Sequence, residues 1–178
     1  MPSDYQKVDA TQFFEKITII KTPEELGNLE KGAKFLDFSL KKLIDEVEEI
    51  IDNDDDVLMN ELSSKVKNSL ENENNKDMKV FINSNPSIDI ANLDYNLPIQ
   101  IQSGGNFTYD LSVDSPSQNL TDDTIWLSMC CEYAEVCASA ARTLIINPTQ
   151  QEKQDYLLLR KAFSCLFSSI KLGKKISD

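Results

Sequence analysis

Histidine is absent from the 178 residues of this chain. Without an imidazole, no Ser-His-Asp or Cys-His relay and no histidine-ligated zinc can be assembled within it. Positive charge is scarce as well: Lys and Arg number 18 against 30 Asp and Glu, giving a net charge of -12 and a pI near 4.4. Nucleic acids and anionic membranes are met by cationic faces, so the balance argues against direct nucleic-acid binding and against membrane docking. Long apolar runs are missing too. The longest, Ile125–Cys131, is closed by Glu132 and falls far short of the ~20 residues of a membrane span.

The amino terminus, Met1 to Tyr5, has neither a basic region nor an apolar stretch, and Asp4, Asp9 and Glu15 are unlike a transit peptide. The four cysteines, Cys130, Cys131, Cys137 and Cys165, therefore read as reduced thiols of an intracellular protein, cytoplasmic or nuclear. None shows the C-x-x-C spacing of a thiolate metal site. Small buried apolar residues are the ordinary role for such thiols.

The acidic run Asp52–Asp56 fails as a calcium loop. Counted from Asp52, the sixth place needs Gly and the twelfth Glu, but Val57 and Ser63 stand there. Gly104-Gly105 reads as a turn, because no Lys-Ser/Thr follows to make a phosphate loop. The carboxylates Asp45, Glu46, Glu48 and Glu49 follow a solvated helical pattern. No catalytic residue, cofactor or metal site is expected, and the chain reads as a non-enzyme.

Charge is unevenly distributed. Residues 1–77 carry 19 acids against 10 bases, residues 78–120 carry 4 against 1, and residues 121–178 carry 7 of each. This divides the chain into an acidic front, a charge-poor middle and a neutral, apolar back, all packed as one domain.

The front, 1–77, reads as a helical hairpin. Phe13–Ile20 fits a short helix or a strand. Thr22-Pro23-Glu24-Glu25 is a helix start with a capping box. Leu36, Leu40, Leu43, Ile44, Val47, Ile50 and Ile51 then form one stripe of a helix over about 29–51, with Gly32 a candidate break. Leu58, Leu62, Val66 and Leu70 mark a second helix over about 55–70, and 71–77 is a polar linker.

The middle, 78–120, shows two-residue alternation at Met78–Ile82, Ser87–Ile90, Ile99–Ile101 and Phe107–Val113, punctuated by Pro86, Pro98 and Pro116. Short strands are one reading. An extended connection laid along the bundle is the other, and the one preferred. The back, 121–178, reads as an apolar helical hairpin. Its first helix, from a cap at Thr121–Asp123 to Ile146, would turn Trp126, Met129, Cys130, Tyr133, Cys137, Ala141 and Leu144 inward. Its second, from Pro148 to Leu172, would face it with Tyr156, Leu159, Phe163, Leu166 and Phe167.

The expected fold is thus mainly α: two helical hairpins in a small bundle, joined by a long extended or weakly β segment. The expected function is a protein–protein interaction module, a subunit or adaptor of an intracellular multiprotein assembly, whose partner is another protein. Ile88, Ile90, Leu93, Tyr95, Leu97 and Ile99 are candidate anchors of a peptide-like arm. Leu157 and Leu158 are candidate partner contacts, because they make the last helix apolar on more than one side. The alternative is an acidic chaperone or inhibitor that shields a basic protein, motivated by the front-half charge. No internal repeat of helical-array period is present.

Overall fold

The structure is a computed structural model that describes residues 9–95 and 97–175; the amino-terminal stretch read above lies outside the described residues. In chain order the elements are α1 (Thr11–Thr18), α2 (Pro23–Asn53), α3 (Met59–Glu71), α4 (Lys76–Ser84), β1 (Leu93–Asp94), β2 (Gln100–Gln102), β3 (Thr124–Tyr133), β4 (Val136–Ile145) and α5 (Gln150–Ser169). The expected all-helical bundle is therefore incorrect. Helices pack on an antiparallel sheet, and the back of the chain supplies the sheet's two long strands.

The start of α2 follows its sequence signals. Thr22 Oγ1 accepts from the Glu25 N–H, and the Glu25 carboxylate accepts from the Thr22 N–H at 2.7 Å. Two donors that the first helical turn leaves without partners are satisfied at once. The helix runs through Gly32 unbroken and ends at Asp54 in the left-handed region, φ 56°. Its stripe of Phe35, Leu36, Leu40, Leu43 and Val47 is buried. Met59, Leu62, Val66 and Leu70 of α3 join the same core.

Residues 124–133 form a strand, and their odd-numbered positions make one continuous apolar face. Ile125, Leu127, Met129, Cys131 and Tyr133 point to one face and are buried against the α2 and α3 core. A ten-residue segment with period two presents one face only as a strand. The residues expected on one helical face are therefore split between the two faces of the sheet. β4 pairs with β3 over ten consecutive positions, from Tyr133↔Val136 to Thr124↔Ile145. Since β4 occupies one edge of β3 along its length, β1 and β2 lie on the other, opposite Glu132–Tyr133 and Trp126–Ser128.

The turn between these strands explains why the hairpin is hard to read. Only Ala134 and Glu135 connect β3 to β4, and both have positive φ, 46° and 66°. Two-residue hairpin turns of this shape are normally signalled by Asn-Gly or Asp-Gly. Here two helix-favouring residues occupy the left-handed region, which costs roughly 1–2 kcal/mol each for L-residues. The ten-pair ladder and the Ala134 N–H donated to Asn92 O at 2.9 Å hold them there.

The middle segment is ordered, and polar side chains order it. Gln102 accepts the Thr108 N–H at 2.7 Å and donates back to Thr108 O. The Gln100 amide donates to Asp110 O and Val113 O. Ser115 Oγ accepts from the Ile101 N–H and donates to Ile99 O. Residues 76–84, read as the end of the polar linker and the start of an extended or short-strand segment, form α4 instead. Asn75 caps it, and Met78 and Phe81 are buried one turn apart.

Gly32 sits where α2 crosses the sheet. A Cβ there would meet Tyr133 Cβ at 3.5 Å and Ala138 Cβ at 3.7 Å, which are ordinary contacts. Gly32→Ala should leave stability unchanged or raise it by up to ~1 kcal/mol through helix propensity. Gly32→Leu should cost about 1–3 kcal/mol by overpacking. Urea denaturation of the two variants checks this; equal midpoints would show that the crossing is looser than described. A second test addresses the turn: Ala134→Asn with Glu135→Gly should raise the unfolding free energy by about 1 kcal/mol, and a loss would refute left-handed strain at these residues.

Candidate protein-interaction site

Two surfaces stand out, at opposite ends of α2. The first is a cleft of about 320 Å³ between the end of α2 and α3, lined by Glu46, Glu49, Asp55, Glu61 and Lys65 over an apolar floor of Ile50, Val57 and Leu62. Glu46 is engaged by Lys65 at 2.6 Å and by Lys42 at 3.6 Å. Lys42 also reaches Asp77 at 2.8 Å, and their hydrogen bond holds the Asp77 carboxyl below its ordinary range. None of the ion pairs among the described residues involves Glu49, Asp55 or Glu61. The cleft can receive a cationic side chain whose aliphatic stem lies on the floor.

The second surface is α5 with the outer edge of β4. α5 begins two residues later than the start expected at Pro148: Thr149 is the cap, in a capping box with Glu152. No residue of α5 is buried. Leu157 and Leu158 are 62% and 66% exposed, and Leu159, Phe163, Leu166, Phe167 and Ile170 expose 69% or more. The facing arrangement expected between two back-end helices is absent, because its first helix is the β hairpin. Beside α5, a groove of about 720 Å³ runs between α2 and β4, lined by Leu29, Ala33, Leu36, Ala138 and Ala140, with Phe167 at its mouth. α1 is a smaller apolar surface, with Phe13, Phe14 and Ile17 all exposed.

The candidate arm is placed differently from Leu157 and Leu158. Ile88 and Ile99 are buried in the core, and Ile90, Leu93 and Tyr95 pack against it. Leu97 is half-buried. These side chains are occupied within the chain, so a free arm carrying six anchors is not what the structure presents. Tyr95 lies against the Phe35 ring at 5.9 Å, and burial pushes its phenol pKa upward. The acidic cleft was missed as a site because Glu49, Asp55 and Glu61 look like ordinary solvated residues until α2 and α3 fold against each other.

The thiols divide by burial. Desolvation pushes Cys131 up to about 12 and raises Cys130. The Cys131 thiol donates to Gly32 O at 3.4 Å. Cys137 and Cys165 are exposed.

No family model matches the chain. Its fold resembles two solved structures. One is the N-terminal domain of FACT complex subunit SPT16 from Eremothecium gossypii (TM-score 0.78, 22% identity, 91% of this chain and 38% of that one). The other is the corresponding domain from Cicer arietinum (TM-score 0.79, 24% identity, 92% and 38%). These likenesses establish an α/β fold of that type. In sequence, the chain is 28% identical over 166 residues to FACT complex subunit SPT16 of Dictyostelium discoideum, covering 93% of this chain. It is 27% identical over 178 residues to that of Yarrowia lipolytica, covering 99%. The chain spans only 15% and 18% of the length of these two relatives. It is similar, nearly end to end, to a segment of a complex subunit. No helix among the described residues is long and apolar enough to cross a membrane.

Iodoacetamide labelling of the native protein should modify Cys137 and Cys165 quickly and leave Cys130 and Cys131 protected, since the thiolate is the reacting species and burial suppresses it. Mass spectrometry of the peptides reads this directly. Labelling of Cys131 without denaturant would show that α2 does not stay seated on β3.

Proposed function

We propose that this chain is a non-enzymatic protein-interaction module, a segment of a complex subunit in a FACT-like assembly. The observation that carries this reading is α5, a twenty-residue helix with no buried residue and an apolar surface on several sides. Such a helix gains its stability by burial against a further protein surface. Leu157 and Leu158 are proposed contacts on it. The near full-length similarity to SPT16 subunits supports membership of an assembly. The intracellular setting expected from the sequence agrees with the similarity to FACT complex subunits.

A second reading has its own support. The cleft at the α2–α3 junction gathers Glu49, Asp55 and Glu61 around an apolar floor, in the most acidic part of the chain. We propose that this face holds a basic protein such as a histone. Attraction of that kind raises association rates and weakens steeply with salt.

Fluorescence titration with purified core histones tests both readings. Wild-type binding should weaken at least tenfold as salt rises from low to several times physiological. Glu49→Lys with Glu61→Lys should weaken low-salt binding by a similar factor, since reversing rim charges removes attraction and adds repulsion. Binding that survives high salt and falls with Leu157→Asp and Leu158→Asp would instead assign the client to α5. Absence of binding in every arm would end the basic-client reading.

A further inference from the structure

We propose that Cys130 and Cys137 are a peroxide-responsive dithiol: oxidation at Cys137 is resolved by Cys130, leaving a reversible disulfide across the β3–β4 hairpin. The sheet register brings the two thiols together. Cys130 pairs with Ser139, and Glu132 pairs with Cys137. Side chains alternate between the two faces of a strand. Cys130, Glu132, Cys137 and Ser139 therefore share the face turned away from the α2 core. Cys137 is the diagonal neighbour of Cys130 there, a separation that side chains can bridge, and the two thiols hydrogen-bond each other. Cys131 points to the opposite face, where its thiol donates to Gly32 O.

Burial divides the pair into an attacking and a resolving thiol. Cys137 is exposed, and its thiol donates to the Glu132 carboxylate at 3.7 Å. Cys130 is only 8% exposed. Burial first, and then the neighbouring Cys137 and Glu132, push its pKa upward. Cys130 thus stays a protonated thiol that meets little solvent, and Cys137 is the sulfur a small oxidant reaches first. An accessible thiol with a second thiol beside it is the arrangement of a redox-sensing cysteine.

Hydrogen peroxide is the oxidant. The Cys137 sulfur attacks one peroxide oxygen, the O–O bond breaks, and the departing hydroxide leaves as water with the thiol proton. Cys137 is then a sulfenic acid. The Cys130 sulfur attacks the Cys137 sulfur, the S–O bond breaks, and hydroxide leaves as water with the Cys130 proton. Two thiols and one peroxide become one disulfide and two waters. Condensation with a neighbouring thiol protects the sulfenic acid from irreversible oxidation.

The diagonal register makes this bridge a labile one. A relaxed disulfide holds its Cβ atoms about 3.8 Å apart, whereas diagonal strand neighbours stand somewhat under about 7–8 Å apart, so the hairpin must close slightly to form the bond. Cys137 is the second residue of β4 and follows directly on the Ala134-Glu135 turn. Three ladder pairs lie between Cys130 and that turn, so little of the sheet has to move. Bridges formed under strain are the more readily reduced. The pair is therefore built to open and close, not to staple the hairpin permanently.

The test treats the reduced chain with a small excess of hydrogen peroxide, alkylates the remaining thiols and reads the peptides by mass spectrometry after cleavage at Glu132 and Glu135, which separates the two cysteines. Wild type should yield a disulfide-linked pair containing Cys137, two hydrogens lighter than its reduced parts, and dithiothreitol should restore both thiols. Cys130→Ser should lose the bridge and let dimedone trap a sulfenic acid on Cys137. Cys137→Ser should leave Cys130 reduced at the same dose; this position is exposed, so the variant decides the matter even if Cys130→Ser fails to fold. Cys165→Ser should leave the bridge intact. A wild-type chain that keeps both thiols overturns the proposal. So does a bridge that persists through Cys131 in Cys130→Ser, one that joins two chains, or one that dithiothreitol does not open.

Discussion

Burial of one face of α2 against the odd-numbered side chains of β3 is the contact on which the rest of the molecule depends. Phe35, Leu36, Leu40, Leu43 and Val47 meet Ile125, Leu127, Met129 and Cys131 in a single core. Each large side chain removed from water contributes about 1.5–3 kcal/mol. The ion pairs along α2, Glu30–Lys34 and Asp37–Lys41, are well exposed and are worth a few tenths of a kcal/mol each. Packing therefore decides where α2 lies. At Gly32 α2 crosses beside Tyr133 and Ala138, and there it fixes both the hairpin and the groove beside β4.

Because α2 is one unbroken helix of 31 residues, about 46 Å long, it also keeps the two candidate surfaces apart. Its early turns, around Ala33 and Leu36, form a wall of the apolar groove. Its late turns, at Glu46 and Glu49, form the acidic cleft with α3. The apolar groove and the acidic cleft are thus held apart by one rigid helix.

Much of the helical front was legible in the sequence. Thr22, Pro23 and Glu25 mark the start of α2, and the Leu36–Ile50 stripe marks its buried face, because those signals are local. The back was misread for an equally local reason. Ile125, Leu127, Met129, Cys131 and Tyr133 alternate as a strand does, but Trp126, Met129, Cys130 and Tyr133 also recur at threes and fours. Ala134-Glu135 carries no turn signal, and the alanines at 138, 140 and 141 favour a helix. Tertiary pairing overrode that preference, as it commonly does for strands. The middle was hidden differently: Gln100, Gln102 and Ser115 order it through side-chain hydrogen bonds, which hydrophobic patterning does not register. Of the candidate surfaces, Leu157 and Leu158 could be singled out because α5 is apolar on adjacent sides. The acidic cleft was not, because it exists only where two helices meet.

The exposed apolar helix and the unprotected strand edge share one physical cause. β4 needs only β3 to complete its inner ladder, and α2 and α3 cover the core face of β2 and β3, while none of the residues of α5 is buried. An isolated helix of twenty residues with so much apolar surface is a poor solution in water. Its capping box at Thr149 and Glu152 still fixes where it begins, and the short connection from β4 fixes the direction in which it leaves. The helix is thus set by its local sequence, while the described residues bury none of it. That separation of local order from burial distinguishes this end of the molecule from a frayed tail.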